Sequence, residues 1–456
     1  MEDISDIDYA DAGVSLIAQN KVNARIKQGL NDLGLNAEGS FGGAVDISHL
    51  KGEDSVPIGI ICASLLRGKT PEEMGQNVTQ LAFNQIKEGT TPIALLDYCA
   101  GPDMNEWFPS FAIAIAKEGL LEHDVPTIGG ESAEMPGTYK PGQQDAYVSL
   151  LFNGNQGTTV DLAKLIKNMD RPLLCGSTDG TGTKTRIVKD PRDIIYHGSN
   201  DLGAIGVKPV AFSLYVAGNV EKGALEEIVA KSQKICDTLG IKALDPYVMV
   251  KSDEYNSGQV DIAGTVIGVI DEKNMITGED VKANDVIIGF ATDCLMTNGY
   301  SLARKYLEMI GEPEVGDLTH EAITRELSKS HIPYTDILFG NEKSEGILSK
   351  YQGQIKATAH ITGGGQSDNI KRMIPEGLLA DVQREILPLP PIVRHFRKHG
   401  ADMEAMYEAF NMGVGFTITV SPDIADEVVK YVNDNFRHSV EGVDRQAAVI
   451  GGISKN

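Results

Sequence analysis

Short apolar runs alternate with longer segments whose apolar positions recur three and four residues apart. Residues 58–63 and 171–176 read as buried strands, and 72–88 and 222–239 carry the helical period. The alternation occurs twice. Residues 90–103 (TTPIALLDYCAGPD) lie without gaps under 207–220 (VKPVAFSLYVAGNV), so that Pro92, Ala94, Tyr98, Ala100 and Gly101 meet Pro209, Ala211, Tyr215, Ala217 and Gly218 at an offset of 117. Cys62 and Cys175 stand 113 apart and Asp145 and Asp261 stand 116 apart, a near-constant offset that predicts a duplicated domain. The alternative is two unrelated buried strands that share a Pro-apolar-Ala pattern. Residues 153–157 (NGNQG) form a turn-rich link between the copies, and 160–168 read as an amphipathic helix.

A third unit begins near Asp285, with a strand at 286–291, a helix at 301–309, a glycine turn at 363–365 and a strand pair near 414–420 and 447–450. The expected fold class is α/β (α+β), with two tandem N-terminal α/β domains over residues 1–155 and 156–284 forming a pseudo-dimer. A mixed α/β domain follows over 285–456.

Composition narrows the function. The chain has 456 residues, with 41 Lys plus Arg against 64 Asp plus Glu, a net charge of −23 that repels nucleic-acid phosphates and acidic lipid surfaces. No apolar run reaches the roughly 18 residues of a membrane span. Five widely spaced cysteines, with no CxxC pair, fit a reducing compartment, and the acidic start of the chain shows no export signal. A cytoplasmic protein is expected, with a small-molecule substrate and neither a nucleic acid nor a membrane as partner. Any phosphate must be held locally, by amides, a lysine or a divalent cation.

Residues 176–184 (GSTDGTGTK) follow an apolar strand. Gly180 and Gly182 let a ligand approach the backbone, while Ser177, Thr178, Thr181 and Thr183 offer hydroxyls. Asp179 can hold a cation, and Lys184 supplies a point charge. The set suits a nucleoside polyphosphate with Mg²⁺, although neither GxxxxGK[ST] nor GxGxxG can be drawn through it. The bland reading is a Gly/Thr-rich turn. Residues 129–137 (GGESAEMPG) place Glu131 and Glu134 on a constrained loop that could hold Mg²⁺ or grip a ribose or amine; otherwise it is a solvated acidic turn.

The copies diverge in a complementary way. Ser177-Thr178-Asp179 is matched to Ser64-Leu65-Leu66, and Asn200-Asp201 to Asn84-Gln85. Asp97 becomes Leu214, and the 129–137 segment faces the unrelated Asp245-Pro246-Tyr247-Val248-Met249. One composite site built from two half-sites explains this better than two independent sites. In the third unit Asn298, Ser301 and Arg304 stand at a strand-to-helix turn, and His360 leads into Gly363 and Gly364 at another. His360 is a candidate catalyst or simply a packed histidine. Tyr407, Phe410 and Met412 read as core.

Together these motifs resemble the aminoimidazole ribonucleotide synthetase (phosphoribosylformylglycinamidine cyclo-ligase) family. Tyr9-Ala10-Asp11-Ala12-Gly13-Val14 looks like its Y-x-D-A-G-V segment, 177–184 its STDGVGTK loop, and Asn200-Asp201 its N-D pair. Asp97-Tyr98 resembles its LDY strand end, 129–137 its GGETAEMPG loop, 298–302 its NGYSL turn, 359–365 its AHLTGGG segment and 410–415 its FNxGVG strand. The resemblance implies an ATP-dependent ligase that closes the imidazole ring of formylglycinamidine ribonucleotide in purine biosynthesis and releases ADP and phosphate.

By that resemblance, residues 177–184 with Asn200 and Asp201 bind ATP, and Asp179, Asp201 and Glu131 hold Mg²⁺. Lys184, Asp179 and His360 are catalytic. Asp97, Gly130, Glu131, Ser132, Glu134, Asn298, Ser301, Gly363 and Gly364 bind substrate. Three departures stand out. The usual family chain is about a hundred residues shorter and dimerises through a single N-terminal domain, which here implies a monomer with an internal pseudo-dimer. Met296 replaces a usual histidine, and Pro333-Tyr334-Thr335-Asp336 lacks a usual arginine. The alternatives are another ATP-using member of the superfamily, a kinase or an amide-forming synthetase, or a degenerate nucleotide-binding protein.

Overall fold

The computed structural model describes residues 4, 7, 16–34, 43–64, 68–103, 105–313, 316–440 and 442–456. The segment Tyr9 to Val14 and the pair Leu65-Leu66 lie outside them. The chain forms two compact units, one of Val14–Leu202 with Val207–Lys273 and one of Met1–Gly13, Gly203–Gly206 and Asn274–Asn456. Among the described residues no helix is long and apolar enough to cross a membrane.

The first of these units holds β1 (Gly43–Asp46), β2 (Pro57–Ala63), β3 (Thr91–Gly101), β4 (Thr127–Glu134), β5 (Asp145–Asn153), β6 (Val160–Asp161), β7 (Pro172–Gly180), β8 (Lys208–Gly218), β9 (Lys242–Ala243), β10 (Tyr247–Val250) and β11 (Val260–Asp271). They form two sheets, in the orders β4-β3-β5-β2-β6 and β1-β7-β11-β8-β10, with β9 also on β8. In one sheet β5 runs antiparallel between β2 and β3, with β4 parallel to β3. In the other, β11 runs antiparallel between β7 and β8, with β10 parallel to β8.

The match extends to single residues. Cys62 faces Ser149 and Thr178 faces Thr265, each strand displaced by 116; Leu96 and Ser213, displaced by 117, face the same two residues. Even the irregularity recurs, since pairing skips Ile93 on β3 and Val210 on β8. The short strand ahead of each sheet crosses to the other one: β1 pairs with β7 and β6 with β2. Each ends in an aspartate that accepts a backbone N–H just beyond it, Ser48 to Asp46 at 2.8 Å and Ala163 to Asp161 at 3.0 Å.

The sheets pack face to face around Ile58, Ile60, Leu96 and Leu151 from one and Leu174, Ala211 and Ile267 from the other. Helices Pro71–Phe83 and Trp107–Lys117, the latter through Phe111 and Ile115, cover the far side of the first sheet over Ile61, Leu95 and Leu150. Apolar residues on both faces suit β11 to this interior, where it is buried along its length.

The remaining unit contains an antiparallel sheet of β12 (Val286–Ala291), β13 (Ile355–His360), β14 (Leu378–Val382), β15 (Val414–Val420) and β16 (Ala447–Lys455), in the order β13-β15-β12-β16-β14. The two C-terminal strands expected to pair instead flank β12, because β12 offers both its edges.

Several local expectations change. The helix expected at 160–168 is β6 followed by the short helix Ala163–Ile166, because Asp161 turns the chain by accepting from Ala163. The helix read at 72–88 ends at Phe83, with Asn84 as its cap. Register also overturns three pairings. Cys62 is equivalent to Thr178 rather than Cys175, and Ser177-Thr178-Asp179 match Ile61-Cys62-Ala63 rather than Ser64-Leu65-Leu66. Asn200 and Asp201 lie inside helix Arg192–Ala204, whereas Asn84-Gln85 follow the end of theirs, since the strand-to-helix loops 64–70 and 181–191 differ in length.

Candidate active site

Residues 176–180 are the end of β7 rather than a loop, and 129–134 belong to β4; backbone pairing therefore fixes where Asp179 and Glu131 start. Helix Arg192–Ala204 carries His197 and Asp201 one turn apart on a single face. His197 Nε2 lies 3.0 Å from Asp179 Oδ2 and 3.5 Å from Asp201 Oδ2, and Ser177 Oγ donates to Asp201 at 3.2 Å. Burial opposes a charged His197, but Asp179, Asp201 and, more weakly, Glu131 outweigh it and raise its pKa to about 9. At neutral pH the ring is an imidazolium between carboxylates. Glu131 comes from the other sheet, so the structure brings the two motif segments together.

Three packing details hold them there. Glu131 is opposite Tyr98 in the β3–β4 pair, and a side chain at Gly180 would strike the Tyr98 ring. Arg186 donates from Nη1 to Pro136 O at 3.1 Å, tying one segment to the other. Lys184, fully buried, pairs with the equally buried Asp193 at 2.7 Å and pins the 181–191 loop to the start of the His197 helix.

Other candidates have different surroundings. Thr178 Oγ1 is 2.7 Å from Thr265 Oγ1, inside the sandwich, and Ser132 Oγ is 3.3 Å from Cys99 Sγ. Asp97 lies against Gly130, where only a glycine leaves room, and burial lifts its pKa to about 7. Asn200 is buried, Thr183 nearly so, and Glu134 is half-buried at the end of β4. Among the described residues Thr181 Oγ1, which is buried, has no hydrogen-bond partner. The convergent oxygens of Asp179 and Asp201, with Glu131 near, are the hard donor set that Mg²⁺ prefers, and the spare Thr181 hydroxyl could donate to a phosphate. The residues fit both groups, although an imidazolium now offsets part of the carboxylate charge.

In the other unit, Asn298 and Gly363 come together, with Asn298 Nδ2 3.4 Å from where a Gly363 side chain would start. Gly299 and Gly364 adopt positive φ at the starts of helices Tyr300–Ile310 and Gly365–Lys371, and Arg304 Nη2 donates to Ser301 Oγ at 3.2 Å. His360 Nε2 lies 3.0 Å from His331 Nε2, with both rings buried. Met296, also buried, takes a positive φ of 61°. Asp336, at the segment lacking an arginine, is gripped by both terminal nitrogens of the buried Arg445 at 2.6 and 2.7 Å.

The sequence reading missed His197 and His331. The i,i+4 spacing of His197 and Asp201 was a usable signal; His331 had none.

Comparison with known proteins puts the chain in the AIR synthase-related class of enzymes. The model described as AIR synthase related protein, N-terminal domain, matches residues 161–270, and its C-terminal counterpart matches 282–454. Residues ahead of 161 lie outside both stretches. A phosphoribosylformylglycinamidine cyclo-ligase of Clostridium kluyveri is 32% identical over 292 residues, covering 62% of this chain and 82% of that protein. Its namesake in Bacillus subtilis is 31% identical over 304 residues, covering 65% and 84%. The chain belongs to the AIR synthase family, whose curated relatives bear the name of a cyclo-ligase. Among solved structures, E. coli HypE aligns with a TM-score of 0.48 at 20% identity, covering 66% of this chain and 85% of that one.

Proposed function

We propose that the protein closes the imidazole ring of formylglycinamidine ribonucleotide at the expense of ATP, at one composite site drawn from both sheets of the Val14–Leu202 unit. The observation that supports this reading is the convergence of Asp179 and Asp201 from one sheet and its helix with Glu131 from the other. Mg²⁺ held by these three carboxylates would neutralise charge on the transferring phosphoryl group. The Ser177 hydroxyl orients Asp201, the Lys184–Asp193 pair holds the loop against the helix, and the Thr181 hydroxyl is available to a phosphate oxygen. His197 must give up its carboxylate contacts as a cation enters. The duplicated sheets act as an internal pseudo-dimer, and the chain works as a monomer.

The test is ADP release from Mg-ATP with and without formylglycinamidine ribonucleotide, with the product identified by mass. Substrate-dependent ADP release and a product lighter by one water support the reading. ATP binding without turnover would refute it and favour another substrate.

A further inference from the structure

We propose that Asp317, His395 and His399 form a binding site for a divalent transition metal of the zinc class, in the unit containing Asn274–Asn456. Helix Pro391–Lys398 carries His395 on its last turn and is capped by His399, so the i,i+4 spacing sets both imidazoles on one face. Their rings lie 4.7 Å apart at 65°. Asp317, 2% exposed, sends Oδ1 to 3.2 Å from His399 Nε2. One ligand atom from each of the three lies within 4.8 Å of the others.

The observation that points to a ligand is the state of the imidazoles. His395 is 4% exposed, and the Nε2 atoms of both His395 and His399 are buried without a hydrogen-bond partner among the described residues; the 3.2 Å approach of His399 to Asp317 is an ion-pair contact not aligned as a hydrogen bond. Two adjacent dry imidazole nitrogens beside a buried carboxylate are costly as they stand. A metal bound at about 2.0–2.2 Å from each would satisfy them together after small side-chain rotations.

Two imidazoles and one carboxylate suit zinc or cobalt over calcium or magnesium, which prefer all-oxygen sets. The competitor is Lys398, whose Nζ sits 2.6 Å from Asp317 Oδ1. Its side chain is 52% exposed and can swing into water as the metal arrives. The ion would then cross-link the chain around Asp317 to the end of the helix.

The full-length protein, cleared of metal, is titrated with cobalt(II) alone and followed by visible absorption. The spectrum of wild type minus His399→Gln isolates this site from the other histidines and the cysteines. We expect one four-coordinate site in wild type, weakened about tenfold or more in His399→Gln and His395→Gln, and tightened in Lys398→Met. Zinc should displace the cobalt and raise the melting temperature of wild type more than that of His399→Gln. Equal affinity in wild type, His399→Gln and Lys398→Met overturns the proposal. Should the histidine variants fail to fold, Lys398→Met decides: tighter binding supports the site and unchanged binding removes it.

Discussion

At the centre of the paired sheets, Asp145 and Asp261 occupy equivalent positions 116 residues apart, yet their surroundings differ at two positions, Lys251 against Met135 and Ser64, 3.4 Å from Asp145, against Gly180. Tyr215 and Tyr255 donate to Asp145, each at 2.6 Å; Tyr98 and Tyr139 donate to Asp261 at 3.0 and 2.6 Å. Tyr139 and Tyr255 meet across the middle at 3.1 Å. Asp145 also binds Lys251 at 2.5 Å, and the residue 116 positions earlier is Met135, whose sulfur is 3.6 Å from Tyr98. Among the described residues Asp261 thus has hydroxyl donors but no cation. Burial raises its pKa to about 6 despite those hydrogen bonds. Symmetry of backbone does not impose symmetry of charge: the backbone register is retained while the polar contents of equivalent places differ, an internal ammonium beside Asp145 and none beside Asp261 among the described residues.

The largest test of that separation is kinetic. Replacing Asp179 or Glu131 by alanine should each lower kcat by about 10² or more if each acts on charge in the transition state. The equivalent of Glu131 is Tyr247, whose hydroxyl donates to Ser64 O at 2.8 Å. Tyr247→Phe should leave kcat within a few-fold. ADP release measures all three, and a Glu131→Ala enzyme with normal turnover would end the idea of one site drawn from both sheets.

Of comparable size, but read in stability rather than rate, is the central ammonium. The side chains of Lys251 and Asp145 are only 11% and 2% exposed, so Lys251→Met, which copies Met135, strands a buried carboxylate. That should cost about 3–5 kcal/mol in denaturant unfolding. The same change at an exposed pair such as Lys430 and Asp434 should cost at most about 1 kcal/mol.

How much of this was readable in the sequence depends on what fixes each feature. The likeness of the two sheets was legible because strand β8 buries the same small and aromatic residues as β3, down to Tyr98 and Tyr215. The pairing of Cys62 with Cys175 failed because shared residue type says nothing about hydrogen-bond register, which puts Thr178 opposite Thr265 where Cys62 faces Ser149. The motif residues of the site were legible, since glycines and acids cluster locally. His197 was not singled out because half its significance comes from Asp179, eighteen positions away and brought near only by folding. The third unit's order, with β12 between β15 and β16, depends on long-range pairing that no local pattern encodes.

Asp261 supplies a test with a pH signature. Its folded pKa of about 6 exceeds the ordinary 3.8, so the folded state holds the proton more tightly, and stability falls as pH rises from about 4 to about 6, then levels off. Asp261→Asn keeps an oxygen for the tyrosines and removes the charge. It should stabilise the protein at pH 8 by about 2–3 kcal/mol, with the gain shrinking toward zero near pH 4. Denaturant midpoints at the two pH values check this. A gain independent of pH would mean that the carboxylate is not the source.

The smallest effects should fall where the halves remain alike. Asp46 and Asp161 end the exchanged edge strands and cap the chain just beyond; Asp161 also accepts from Val56 N at 2.8 Å, and Asp46 from Arg171 Nε at 2.9 Å. Each has one backbone cap and is tied to the sheet that it joins, Asp46 by the exposed Arg171 side chain and Asp161 by Val56 N and, at 2.9 Å, the exposed Ser55 hydroxyl. Alanine at either position should therefore cost about 1 kcal/mol, and the two costs should agree within experimental error. Because the sites share no partner, the double variant should cost the sum. Equal rim costs beside unequal costs at Asp145 and Asp261 would place the divergence in the polar interior alone. A rim difference larger than the central one would mean instead that the strand exchange had diverged first, and that the common register survives only because the apolar core between the sheets holds it.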